Sequence, residues 1–129
     1  MVPLRKSPYK ISLVSTHGTG KTTLCYEVAA ALKKRGLKVK VFSEIAATAC
    51  EQGIPINQDT TLPAQLYILM QHITEELRGT LRNYQVVVCD RSVFDNLVYM
   101  ERRCGSNPFI REFLKGYSEN FPYDVIYKL

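Results

Sequence analysis

Residues 12–24 read SLVSTHGTGKTTL: a short apolar run, then two glycines and a lysine set among threonines. The spacing fits the pattern G-x-x-x-x-G-K-[ST], in the frame Ser15-Thr16-His17-Gly18-Thr19-Gly20-Lys21-Thr22, with serine at the first glycine position. A loop of this kind binds phosphate because consecutive backbone N–H groups turn inward at a helix N-terminus, whose dipole adds positive potential. Gly18 and Gly20 permit the backbone angles and the close approach that this needs. Lys21 reaches the terminal phosphates, and the Thr22 hydroxyl is a ligand for Mg²⁺. The first glycine mainly eases the turn out of the strand, a place that a small serine can fill. Thr16, His17, Gly18, Thr19, Gly20, Lys21, Thr22 and Thr23 therefore form the candidate set for binding the phosphates of a nucleotide.

Outward from the loop, the context is the one the motif demands. The run KISLVS (10–15) before it suits a buried parallel strand. After it, Leu24, Val28, Ala31 and Leu32 recur at helical spacing, and Gly36 stands at a C-cap position. KVKVFSE alternates as a second strand, and the Ala-rich EIAATACEQG reads as a short helix stopping at Gly53. Pro63 opens a long helix with an apolar stripe of Leu62, Leu66, Leu69, Ile73, Leu77 and Leu81. QVVVC reads as a central strand ending at Asp90-Arg91-Ser92. Ser92 caps one further helix and Asn107, followed by Pro108, caps another, before YDVIYKL forms a fourth strand. Strands alternating with helices predict a three-layer α/β/α fold around a parallel sheet of about four strands. Ligands of such sheets sit at the carboxyl ends of the strands, where the glycine loop and Asp90 both fall.

Asp90, at the end of an apolar strand in a chain with a phosphate loop, is the expected second contact to Mg²⁺, directly or through water. Arg91 beside it is suited to a bidentate pair with a phosphate or with a carboxylate. His17 lies inside the loop at a position that tolerates variation, His72 is expected at the surface or partly buried, and Cys89 as a small core residue.

Composition bounds the remaining classes. The chain has 129 residues with 46% hydrophobic and 22% charged content, which suits one globular domain over residues 1–129. No apolar run is long enough to span a bilayer or to form a signal peptide. Cys25, Cys50, Cys89 and Cys104 form no C-x-x-C pair and read as reduced thiols of a cytoplasmic protein. The net charge of +5 owes much to KKRGLKVK (33–40), which reads as a solvated helix end; without aromatic interleaving or zinc spacing, nucleic acid is not an expected partner.

The loop STHGTGKTT, the glutamate in VFSE, the helix carrying QLYILMQH, and VVVCDRSVFDNLVYM together resemble the nucleoside and nucleotide kinase branch of P-loop proteins. The likeness is greatest to small kinase-like ATPase domains related to nicotinamide-riboside kinases, with deoxynucleoside and thymidylate kinases further off. The resemblance implies an ATP- and Mg²⁺-dependent transfer of the γ-phosphate to a nucleoside- or nucleotide-like small molecule. In that reading Lys21, Asp90, Glu44 and Arg91 are the catalytic candidates, with Thr22 and Asp90 at the metal. Glu44 resembles the carboxylate that binds or deprotonates the acceptor hydroxyl, a position that also suits a glutamate at a helix N-terminus. Gln65 and Gln71 lie on the helix that would wall the acceptor pocket. Kinases of this branch continue with an arginine-bearing lid and a further strand, so the domain is expected to be incomplete at its C-terminus. A nucleotide-binding regulatory module without efficient transfer is the alternative expectation. The D-x-x-G and N-K-x-D patterns of GTPases are absent. Acceptor identity, base preference and oligomeric state are left open.

Overall fold

The computed structural model describes residues 7–15, 20–43, 49–56 and 59–129. The elements follow the order β1 (Tyr9–Val14), α1 (Lys21–Lys34), β2 (Val39–Phe42), α2 (Leu62–Leu81), β3 (Val86–Asp90), α3 (Val93–Cys104), α4 (Pro108–Asn120) and β4 (Val125–Lys128). The four strands form one parallel sheet in the order β2-β3-β1-β4. The expected three-layer α/β/α architecture is what the chain adopts.

The strand order explains where a ligand belongs. From β1 the chain crosses through α1 to β2 on one side of the central pair, and from β3 it crosses through α3 and α4 to β4 on the other. The crevice outside the carboxyl ends of β1 and β3 is the point where the winding reverses, the usual ligand site of an open parallel sheet.

Each layer follows from side-chain alternation along the strands. Val86 and Val88 of β3, with Leu13 of β1 and Val39 of β2, pack on Cys25 and Ala29 of α1. Val87 and Cys89 point to the opposite face, where Phe42 and Tyr123 join them. There α2, α3 and α4 form a second layer around Leu69, Ile73, Val93, Met100, Ile110, Leu114 and Tyr117. A strand buried on both faces reads as an unbroken apolar run, which is why VVVC lacks alternation. The helix starts are capped as the sequence reads: Ser92 and Asp95 make a reciprocal capping box, and the Asn107 side chain accepts from Phe109 and Ile110 N–H.

Two expectations for α2 need correction. The stripe holds only in its middle: Leu81 is 80% exposed, because the helix outruns the sheet beyond Gly79, the last residue it buries. Its buried face is also not purely apolar. Gln65, His72 and Glu76 lie on it, and His72, expected at the surface or partly buried, is only 3% exposed. Of the short helix expected over residues 44–53, residues 49–51 are helical and 44–48 lie outside the described residues. Cys25, Cys50, Cys89 and Cys104 are all free.

Candidate active site

The candidate site is assembled at the end of β3 and the start of α1. Gly20 adopts a left-handed conformation, φ 72°, and its carbonyl accepts from Leu24 N–H, beginning the helix. Glycine takes this conformation without a Cβ penalty, so the loop can turn directly into the helix axis. Gly20 offers no capping side chain, and the first N–H groups of a helix are the ones that an anion can bind.

Lys21 and Thr22, the first two residues of the helix, both turn to Asp90. The Lys21 Nζ lies 2.7 Å from Asp90 Oδ1, and the Thr22 hydroxyl donates to Asp90 Oδ2 at 2.8 Å. Asp90 Oδ1 is buried and faces the ammonium without a well-aligned hydrogen bond, so its lone pairs are incompletely used. Two hard oxygens, one from a carboxylate and one from a hydroxyl, suit Mg²⁺, which keeps several waters and takes its other ligands from phosphate. No group of three or more His, Cys, Asp or Glu side chains is placed for a metal among the described residues. The residues present fit a cation shared with a phosphate.

Arg91 occupies a strained turn. Its φ of 80° is a left-handed conformation that a non-glycine residue holds at a cost of about 1–3 kcal/mol. Both of its backbone groups are tied to β1: its N–H donates to the Leu13 carbonyl at 2.9 Å, and its carbonyl accepts from the Ser12 hydroxyl at 2.8 Å. The side chain is left exposed, with no ion pair among the described residues. The turn thus fixes the Arg91 backbone directly after Asp90, at the end of β3.

Cys25, one turn along α1, stays a thiol. Burial pushes it up to about 11, with the Asp90 charge adding to the effect and Lys21 opposing it. It is a packing residue, not a nucleophile. Thr23 is exposed in the first turn of α1. Thr16, His17, Gly18 and Thr19, and also Glu44, lie outside the described residues.

Beside this constellation, at the carboxyl end of β2, a cavity of about 380 Å³ opens between α1 and α2. Tyr26, Phe42, Ser43, Tyr67, Gln71 and Glu75 are among the residues that line it. Its size and its mixture of aromatic and amide groups suit a small organic molecule. Gln71 is placed there as expected; Gln65 is not among the lining residues, being buried with its amide on the Thr60 hydroxyl at 2.8 Å.

The sequence reading missed a second polar cluster, beneath the sheet on the α2 face. The Glu76 carboxylate is 2% exposed and receives Lys10 Nζ at 2.8 Å and Tyr117 OH at 2.6 Å on one oxygen. His72 Nε2, at 2.8 Å, and the Tyr123 hydroxyl bind the other oxygen. Burial pushes the Glu76 carboxyl up, but the hydrogen bond and charge of His72 and the charge of Lys10 outweigh it and hold the group down at about 2. The detectable signal was His72 and Glu76 at i, i+4 on the same helical face as Leu69 and Ile73.

Residues 10–126 match the model of a family described as an AAA domain. A thymidylate kinase from Methylococcus capsulatus is 32% identical over 115 residues, which cover 83% of this chain and 55% of that protein. A probable thymidylate kinase from Archaeoglobus fulgidus is 30% identical over 107 residues, covering 79% of this chain and 55% of the relative. The chain thus spans about half the length of the curated relatives it matches. Among solved structures, a deoxyadenosine kinase from M. mycoides with dCMP and dCDP bound superposes with a TM-score of 0.57 at 18% identity, over 92% of this chain and 62% of that one. That likeness concerns the fold. The chain belongs to the AAA domain family.

Proposed function

We propose that this member of the AAA domain family is an ATP-dependent kinase that moves the γ-phosphate to a hydroxyl or phosphate oxygen of a nucleoside- or nucleotide-like molecule. The observation that carries the reading is the convergence of Lys21 and Thr22 on Asp90 at the winding reversal of the sheet, beside the N-terminus of α1. The thymidylate kinase relatives support the substrate class.

In this reading the β- and γ-phosphates lie in the loop formed by residues 15–22, against the first N–H groups of α1. Lys21 leaves Asp90 and sets its ammonium on the terminal phosphates. Thr22 and Asp90 would hold Mg²⁺, which when bound neutralises phosphate charge and fixes its geometry. Arg91 steadies phosphate with its planar fork. The acceptor occupies the cavity at the end of β2, stacked among Tyr26, Phe42 and Tyr67, with the Gln71 amide toward its polar edge. Glu44, two residues past β2, orients or deprotonates the acceptor. Rate enhancement comes from positioning and electrostatics rather than covalent chemistry. A cytoplasmic setting is in keeping with four free thiols and with the absence, among the described residues, of any helix long and apolar enough to cross a membrane.

The test is transfer of radiolabelled γ-phosphate from ATP to a panel of nucleosides and nucleoside monophosphates, with Lys21→Ala as control. Label on at least one acceptor, lost in the variant, is expected. A folded chain that hydrolyses ATP slowly and labels no acceptor would replace the kinase reading by that of a nucleotide-binding module.

A further inference from the structure

The buried cluster around Glu76 reaches the candidate site through one hydroxyl. Tyr123 OH donates to the Glu76 carboxylate and accepts the backbone N–H of Val93 at 2.9 Å. Val93 is the first residue of α3 and follows directly on Asp90-Arg91-Ser92. Its N–H is one of those that a helix cannot satisfy internally. The capping box serves the neighbouring Ser92 and Asp95 N–H groups, and Val93 is fully buried, so the tyrosine is what keeps this donor from being orphaned.

Tyr123 is itself held firmly. Its ring lies 4.3 Å from Lys10 Nζ, and the same ammonium donates to Glu76 and to the Phe121 carbonyl at 2.6 Å, two residues before the tyrosine. A buried Lys–Glu pair is a poor way to gain stability, since apolar residues of equal volume would often serve better. A conformational role accounts for it more economically. We propose that Glu76 and Tyr123 are positioning residues: the carboxylate fixes the tyrosine, and the tyrosine hydroxyl pins the end of the Asp90–Ser92 turn, holding Arg91 in its left-handed conformation beside Asp90. Ser12 and Leu13 secure the turn from β1, and Tyr123 secures it from the helix side. The consequence for ligands rests on the reading of Asp90 and Arg91 as parts of a phosphate site.

The test compares Tyr123→Phe with Tyr117→Phe. Each removes one hydroxyl from the same buried carboxylate and leaves an aromatic ring, but only the first frees Val93 N–H. In the wild-type chain without nucleotide, Val93 N–H is expected to exchange with solvent among the slowest amides; rapid exchange there overturns the proposal even if no variant folds. Tyr123→Phe is expected to speed that exchange about tenfold or more, on the scale of one lost buried hydrogen bond, and to weaken Mg·ADP binding by about 5–10-fold. Tyr117→Phe is expected to leave both within about twofold while lowering the melting temperature comparably. Unchanged Val93 exchange in Tyr123→Phe, or equal losses of affinity in the two variants, would show the cluster to be structural only. Exchange is read without nucleotide, so a wild-type chain that binds no ADP removes the nucleotide reading while the positioning of Val93 stands or falls separately.

Discussion

The Glu76 carboxylate shows how a single buried charge is kept. Four donors surround its two oxygens, and of these His72 and Lys10 outweigh the effect of burial and hold the group at about 2, below the ordinary 4.5. Because the folded value is the lower one, the charged form stabilises the fold, and that contribution is complete above about pH 4.5 and lost as pH falls toward 2. At roughly 1.4 kcal/mol per pH unit of displacement, the loss amounts to about 3 kcal/mol. The urea midpoint of the wild-type chain is therefore expected to fall steeply between those pH values. In Glu76→Gln it should start lower and fall less. Parallel slopes in the two chains would mean that other carboxylates govern acid unfolding. Only the His72–Glu76 spacing was legible in the sequence: Lys10, Glu76 and the two tyrosines lie in three distant stretches of the chain, and no periodicity links a lysine on a strand to a glutamate on a distant helix. Lys10 stands first in the run read as a buried strand, and it is itself buried, at 5% exposure.

At the scale of elements, the legible parts were those fixed by local chemistry. The glycine loop needs a strand before it and a helix after it, Ser92 and Asn107 satisfy orphan N–H groups within their own helices, and VVVC is apolar because both its faces are covered. Close approach between elements is set by tertiary packing instead, and Gly79 is the case in point. A Cβ there would come to 2.5 Å from the Val87 Cγ2, so α2 lies on β3 at a distance only glycine permits. Val87 is β-branched and fully buried, with little freedom to withdraw. Gly79→Ala would gain about 1 kcal/mol of helix propensity in an exposed helix; here overpacking is expected to win, for a net destabilisation of about 1–3 kcal/mol. Chemical denaturation checks the sign, and a more stable variant would show that α2 can move off the sheet.

For the whole molecule, the crevice between β1 and β3 ties the fold to its chemistry. The winding reversal places Asp90 opposite the first turn of α1, and the pairing of Phe42 with Cys89 brings the end of β2, with its cavity, alongside. Residues remote in sequence thereby share one edge of the sheet. That much follows from the alternation of strands and helices; which molecule fills the cavity does not, because pocket shape is written across three elements. Central to the proposed function is that Lys21 and Asp90, which form an ion pair in this structure, would part to hold phosphate and Mg²⁺ respectively. The most direct measurement is calorimetric titration of the wild-type chain, Lys21→Ala and Asp90→Asn with ATP, with and without Mg²⁺. Saturable binding by the wild type is expected, at least about tenfold weaker in Lys21→Ala, where a charge-assisted contact to phosphate is lost. Asp90→Asn should bind with little dependence on Mg²⁺. Equal affinities in all three folded chains, or none in the wild type, would contradict a phosphate site built on this pair.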